Sequence, residues 1–130
     1  MVMTAHILNK RLDPEYPATL SDYYIRDLLR KKLGFKGVVV SDDMQMGAIA
    51  ARCDLKTAIV RAVNAGCDLV LISNNASVYD ERMPYEVRDI ISRAVKSGEI
   101  PVTRILEASR RIRELKNQPR PGNRRISEGF

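Results

Sequence analysis

Gly34-Phe35-Lys36-Gly37-Val38-Val39-Val40-Ser41-Asp42-Asp43-Met44 is the stretch on which the fold turns. Its three consecutive valines predict a strand over Gly37–Ser41. Continuous rather than alternating β-branched residues suit a strand buried on both faces of a parallel sheet. Two adjacent carboxylates, Asp42 and Asp43, stand where that strand leaves the sheet. In parallel α/β folds this C-terminal edge is where ligands bind and catalytic groups gather. Successive side chains on extended backbone point to opposite sides. Asp42 and Asp43 therefore have different tasks, one facing a ligand site and one tied to nearby backbone or a helix start. The plainer reading is that both cap the helix that follows, since Asp is a preferred N-cap.

Upstream, Val2-Met3-Thr4-Ala5-His6 reads as a short strand, followed by a loop with Pro14 and Pro17. Ser21 opens a helix over about Asp22–Leu33, in which Ile25, Leu28, Leu29 and Leu33 form one apolar stripe before Gly34 stops it. Downstream, a helix over about Leu55–Asn64 closes at Ala65-Gly66, and Asp68-Leu69-Val70-Leu71-Ile72 repeats the buried-strand pattern. A third helix spans about Glu81–Lys96 and stops at Gly98. Thr103 is positioned to cap a fourth, with Ile105, Ala108, Ile112 and Leu115 on one face. Strands alternating with helices argue for parallel βα units. From Pro119 to Phe130 the composition shifts to Pro, Gly, Arg and Ser, which predicts a disordered basic tail after a folded region of residues 1–118.

Composition narrows the function classes without naming one. The chain has 130 residues, 45% hydrophobic and 29% charged, the balance of one soluble globular domain. No apolar run approaches the ~20 residues of a membrane helix, and no signal-peptide pattern opens the chain. No membrane partner follows from such a sequence. Cys53 and Cys67 lie outside metal-ligand and disulfide spacings and read as reduced thiols in a cytoplasmic setting. No Gly-rich phosphate loop or metal-ligand cluster is present, so no cofactor is expected.

The net charge of +6 raises a competing reading. Arg30-Lys31-Lys32, Arg110-Arg111, Arg113, Lys116, Arg120, Arg124 and Arg125 form basic runs of the kind that neutralise nucleic-acid phosphates. Against a nucleic-acid partner stand an aromatic content of 5%, no Trp and no nucleic-acid motif. Charge runs are ordinarily solvated helix faces. At the strand ends, His6 and Asn74-Asn75 join Asp42 and Asp43, so three predicted strands deliver polar side chains to one rim. Taken singly, His6 suits a hydrogen-bonded structural role and the two asparagines suit a turn.

Five segments in order carry a resemblance: Val2-Met3-Thr4-Ala5-His6, Pro17-Ala18, Leu28-Leu29-Arg30, Leu33-Gly34-Phe35-x-Gly37-Val38-Val39-x-Ser41-Asp42-Asp43 and Ala65-Gly66-Cys67-Asp68. Together they resemble glycoside hydrolase family 3, in particular its bacterial β-N-acetylhexosaminidases of peptidoglycan recycling, over about residues 2–115. The resemblance implies an α/β fold, the C-terminal part (about three βα units) of a TIM-type (β/α)8 barrel. It implies retaining hydrolysis of a terminal β-linked N-acetylglucosamine from a glycan substrate. Asp42 matches the family's nucleophile, and His6, Asp43 and Met46 fall near the sugar subsite. A nucleophile must be ionised at working pH, which hydrogen bonds to its charged form favour.

Members of this kind carry a Lys-His sugar-binding pair and a His-Asp acid/base dyad upstream of the strand that ends in His6. The present sequence holds one His. Loss of a proton donor costs on the order of 10²–10⁴-fold in rate, so this chain alone is expected to be impaired. Open barrel edges further predict self-association. The alternative is a non-catalytic βα scaffold, a degenerate hydrolase fragment that acts only through assembly.

Overall fold

A computed structural model of the chain describes residues 1–74 and 79–118. Asn75 and the predicted tail lie outside them. Three strands, β1 (Val2–Met3), β2 (Val39–Asp43) and β3 (Leu69–Leu71), form one parallel sheet in the order β1-β2-β3. Parallel neighbours need long crossovers. The first is the 3-10 turn Ala18–Leu20 with the helix Tyr23–Lys32, and the second is α1 (Gly47–Ala50) with α2 (Leu55–Ala65). After β3 come α3 (Met83–Lys96) and α4 (Val102–Asn117).

The strands are shifted from their predicted bounds. β1 pairs only through Val2 and Met3, with Val2 N donating to Val38 O and Thr4 N to Val40 O, after which the chain turns away toward the prolines. β2 begins two residues later than Gly37 and runs through both aspartates, so the carboxylates belong to the strand rather than to the loop beyond it. The first crossover helix is a ten-residue π-helix, in which Leu33 N reaches back five residues to Leu28 O. Ile25 is buried and Leu29 packs on the core, but Leu33 falls past the last turn and is 67% exposed. Gly34 then takes φ +68, the left-handed stop the sequence predicts.

α2 is held at its start by Asp54, whose carboxylate accepts from Thr57 N at 3.0 Å and Thr57 Oγ1 at 2.7 Å. Such a cap stabilises a helix by about 1 kcal/mol. α4 has no equivalent. Its N-cap is Pro101, no side chain accepts from its first turn, and Thr103 lies inside the helix instead of capping it.

Val39 on β2 packs with Leu20, Ile25, Met44, Ile49, Ala58 and Ala62 in the main core, and Val70 on β3 borders it. A second cluster of Val63, Ala94 and Ile100 joins α2 to α3. All of this lies on one face of the sheet. Met3, Val40 and Leu69 sit side by side in register, so they share the opposite face. There Met3 is 58% and Leu69 38% exposed. Among the described residues no helix is long and apolar enough to cross a membrane.

Candidate active site

The rim begins with an irregularity in β2. Val40 pairs with Leu69 and Asp43 with Leu71, so β2 spends three steps where β3 spends two. The extra residue opens the ladder, and the buried Ser41 hydroxyl fills the gap by accepting from Leu71 N at 2.9 Å. Such insertions re-aim the side chains that follow and recur beside active sites. Here Asp42 and Asp43 follow.

The two aspartates divide their work. Asp43 is fully engaged within the chain. Its Oδ1 accepts from Gln45 N and Ser73 N, each at 3.1 Å, and its Oδ2 accepts from Ser73 Oγ at 2.5 Å. This carboxylate ties the end of β2 to the end of β3. Burial pushes its pKa up, but the bonds from Ser73 and Gln45 outweigh that and hold it below the ordinary carboxylate value. Asp43 is therefore ionised at neutral pH and is no proton donor. Asp42 is half-buried. Its Oδ1 accepts from Asp43 N at 2.8 Å, and its Oδ2 accepts from none of the described residues.

Asp42, Asp43, His6 and Met46 meet at the backbone of Asp43. Asp43 N donates to Asp42, and Asp43 O accepts from His6 Nε2 at 2.8 Å and from Met46 N at 3.1 Å. A carbonyl can only accept, so His6 carries its proton on Nε2. Its Nδ1 lies 3.0 Å from Thr19 Oγ1, which in turn lies 2.9 Å from Thr4 Oγ1. With both ring nitrogens occupied, His6 holds the rim in place. Met46 opens α1 and is 46% exposed. Asn74 adopts φ +53 and joins the rim to the start of α3, with its N donating to Gln45 Oε1 and its Nδ2 to Asp80 O.

Thr4, Thr19, Ser41, Gln45 and Ser73 complete this network, and sequence reading passed over them as site residues. Ser73 had a visible signal, because it directly precedes the asparagines at the end of a predicted strand. Among the described residues no three His, Cys, Asp or Glu side chains are grouped to hold a metal ion.

The opposite end of the sheet holds an ionic cluster. The Asp68 side chain is wholly buried, with Arg30 Nη2 at 2.7 Å, Arg104 Nη2 at 2.6 Å and Arg111 Nη1 at 3.0 Å. Val39 N also donates to it. Burial alone would raise the Asp68 pKa, but that backbone bond and the guanidinium groups bring it below the ordinary value. Arg30 and Arg111 thus leave the predicted solvated basic face, being only 14% and 13% exposed at their side chains. Cys67 beside them is a buried free thiol, pushed up to about 12 mainly by burial, and Cys53 is half-buried and also free.

Known proteins share this architecture. Residues 1–115 match the model of the glycosyl hydrolase family 3 N-terminal domain. A β-hexosaminidase of Alkalilimnicola ehrlichii is 45% identical over 74 residues, 57% of this chain and 21% of its own length. A family 3 β-N-acetylglucosaminidase structure from Paenibacillus sp. is 43% identical with a TM-score of 0.77, covering 88% of this chain and 21% of that one. The β-N-acetylglucosaminidase structure from Thermotoga maritima superposes with a TM-score of 0.80 at 26% identity, covering 94% and 26% respectively. The chain spans between a fifth and a third of the length of the curated relatives it matches, 21% in one case and 32% in another.

Proposed function

Because the chain belongs to glycosyl hydrolase family 3, we propose that it supplies the nucleophile of a retaining β-N-acetylhexosaminidase, with Asp42 as the attacking group. The contrast between the aspartates carries this reading. Asp43 is saturated, whereas Asp42 is oriented by one bond from the Asp43 amide and keeps an oxygen without a partner among the described residues. A carboxylate so placed can attack an anomeric carbon and form a glycosyl-enzyme. The substrate is a terminal β-linked N-acetylglucosamine, in line with the relatives' names. His6 and Met46 then act by holding the Asp43 carbonyl, on the residue whose amide places Asp42, with Met46 also exposed toward the sugar subsite.

A retaining mechanism needs a second group that first protonates the leaving oxygen and then activates water. Asp43 is held ionised and His6 is engaged at both nitrogens, so neither serves. The proton donor comes from other segments of the domain. The bare sheet face supports the same view of the fold. In a (β/α)8 barrel the inner face of each strand is packed by side chains of the other strands. Met3, Val40 and Leu69 form such a row, and we read the chain as about three βα units of that barrel. Cytoplasmic placement, where both thiols stay reduced, completes the proposal.

The test is covalent trapping. A fluorinated N-acetylglucosaminyl fluoride needs little help from a proton donor to lose fluoride, so trapping bypasses the absent acid. Intact mass should show one adduct on the wild-type chain, mapping to Asp42, and none on Asp42→Ala. A folded chain that acquires no adduct overturns Asp42 as a nucleophile in this chain and favours the scaffold reading.

A further inference from the structure

At the far end of the sheet from Asp42, a cavity of about 450 Å³ lies between the π-helix and α4. Five cations line it, Arg26, Arg30, Lys31, Arg104 and Arg111, against one carboxylate, Glu107. Asp22, Asp27, Asp68 and Glu107 pair with these five, which leaves one positive charge over. The cations also crowd one another. The Arg30 pKa is lowered by burial, and the attraction of Asp68 opposes that lowering more strongly than the repulsion of Arg111 and Arg104 adds to it.

Two further observations concern residues that line the same space. Pro101, Thr103 and Arg104 bring the N-terminus of α4 to the cavity wall. That sixteen-residue helix has no side-chain cap and no acidic residue in its first turn. Unpaired amides and the positive end of a helix dipole form a ready anion site. Independently, Arg104 is 5% exposed, and its Nη1 has no hydrogen-bond partner among the described residues. The carboxylate nearest it in ion-pair terms, Glu107 Oε2, stands off at 3.7 Å. A buried guanidinium nitrogen left unbonded is costly unless something else satisfies it.

The geometry points to a binding site for a compact oxyanion, a free phosphate or the phosphate of a small monoester, held by the α4 N-terminus with Arg104, Arg111, Arg26 and Lys31. Glu107, 55% exposed at its side chain, occupies the mouth as an internal competitor and swings out on binding. Concavity and the absence of an aromatic lining residue favour a small anion over a nucleic-acid strand, which would use stacking platforms. The site stands on residues separate from Asp42 and does not rest on the hydrolase reading.

Amide resonances of Val102 and Thr103 in the full chain would be followed while sodium phosphate replaces sodium chloride at constant ionic strength. The expected result is a saturable shift with phosphate. Glu107→Gln should bind about five-fold tighter, because a competing carboxylate is gone. Arg26→Gln and Lys31→Gln should each bind about two- to five-fold more weakly on the same scale. Glycerol 3-phosphate distinguishes the sources: a response equal to that of phosphate assigns the site to monoesters, and a response to phosphate alone assigns it to the free ion. A shift no larger than chloride produces, or unchanged affinity in a folded Glu107→Gln chain, overturns the site. So does retention of a random DNA duplex without any response to phosphate.

Discussion

Asp68 is the residue on which the most charge converges. A wholly buried carboxylate with three guanidinium groups is neutralised several times over, and its removal would leave those cations facing each other. Breaking a buried ionic group by deleting one partner costs about 3–5 kcal/mol. Asp68→Ala should lower the urea midpoint by that amount in free energy, with the slope unchanged, against a total of about 5–15 kcal/mol for a domain. Titration points the same way. Asp68 and Asp43 both sit below the ordinary carboxylate value of 3.8 in the folded chain, so the unfolded chain takes up protons first as acid is added. Their contribution is fully present above about pH 4 and fades as the pH falls through the lower folded-state values. Urea midpoints between pH 7 and pH 3 should trace that loss, with a smaller drop in Asp68→Ala.

At the scale of elements, two glycines with positive φ make a controlled comparison. Gly34 ends the π-helix at φ +68 in open space, whereas a Cβ on Gly66, at φ +121 after α2, would meet Ile25 Cγ2 at 2.7 Å. Gly34→Ala bears only the left-handed backbone penalty of about 1 kcal/mol. Gly66→Ala adds overpacking of about 1–3 kcal/mol against the main core. Thermal melts of the two variants should therefore rank Gly66→Ala clearly below Gly34→Ala.

These stops were legible because a left-handed stop is a local demand that glycine answers. The valine run of β2 was legible for the same reason. The inserted residue in β2 and the π winding were not, since hydrogen-bond geometry decides them and residue pattern carries no sign of it. Nor was the role of Asp68, whose arginine partners lie 36 to 43 residues away. A trace of it existed. Arg104, Ala108 and Arg111 recur at helical spacing along α4, which places two arginines on an inward-facing stripe. Alternation along the strand is a sequence-level reason for Asp42 and Asp43 to face different surroundings. The particular bonds to Ser73 and Gln45 come from the neighbouring strand and turn.

Taken as a whole, the molecule leaves a sheet with two open sides. Among the described residues β1 and β3 each have one unpaired edge, and β2 is paired on both. Helices cover one face, while Met3, Leu69 and Leu71 stay partly exposed, the last two at 38% each. Parallel sheets are normally covered on both faces, and open edges recruit further strands. The chain should therefore sediment as a dimer or larger species at tens of micromolar. A single monomeric boundary across that range would show that the exposed row tolerates water.

The chain contains a single histidine, and His6 is pinned between Thr19 and the Asp43 carbonyl. Its imidazole resonances are therefore free of overlap from other histidines, and its Nε2 is bonded to the carbonyl of the residue whose amide orients Asp42. The rim carries its own spectroscopic reporter in that single imidazole. Any segment that docks beside β1, or any sugar that displaces the Asp43 peptide, would register there without a label being added.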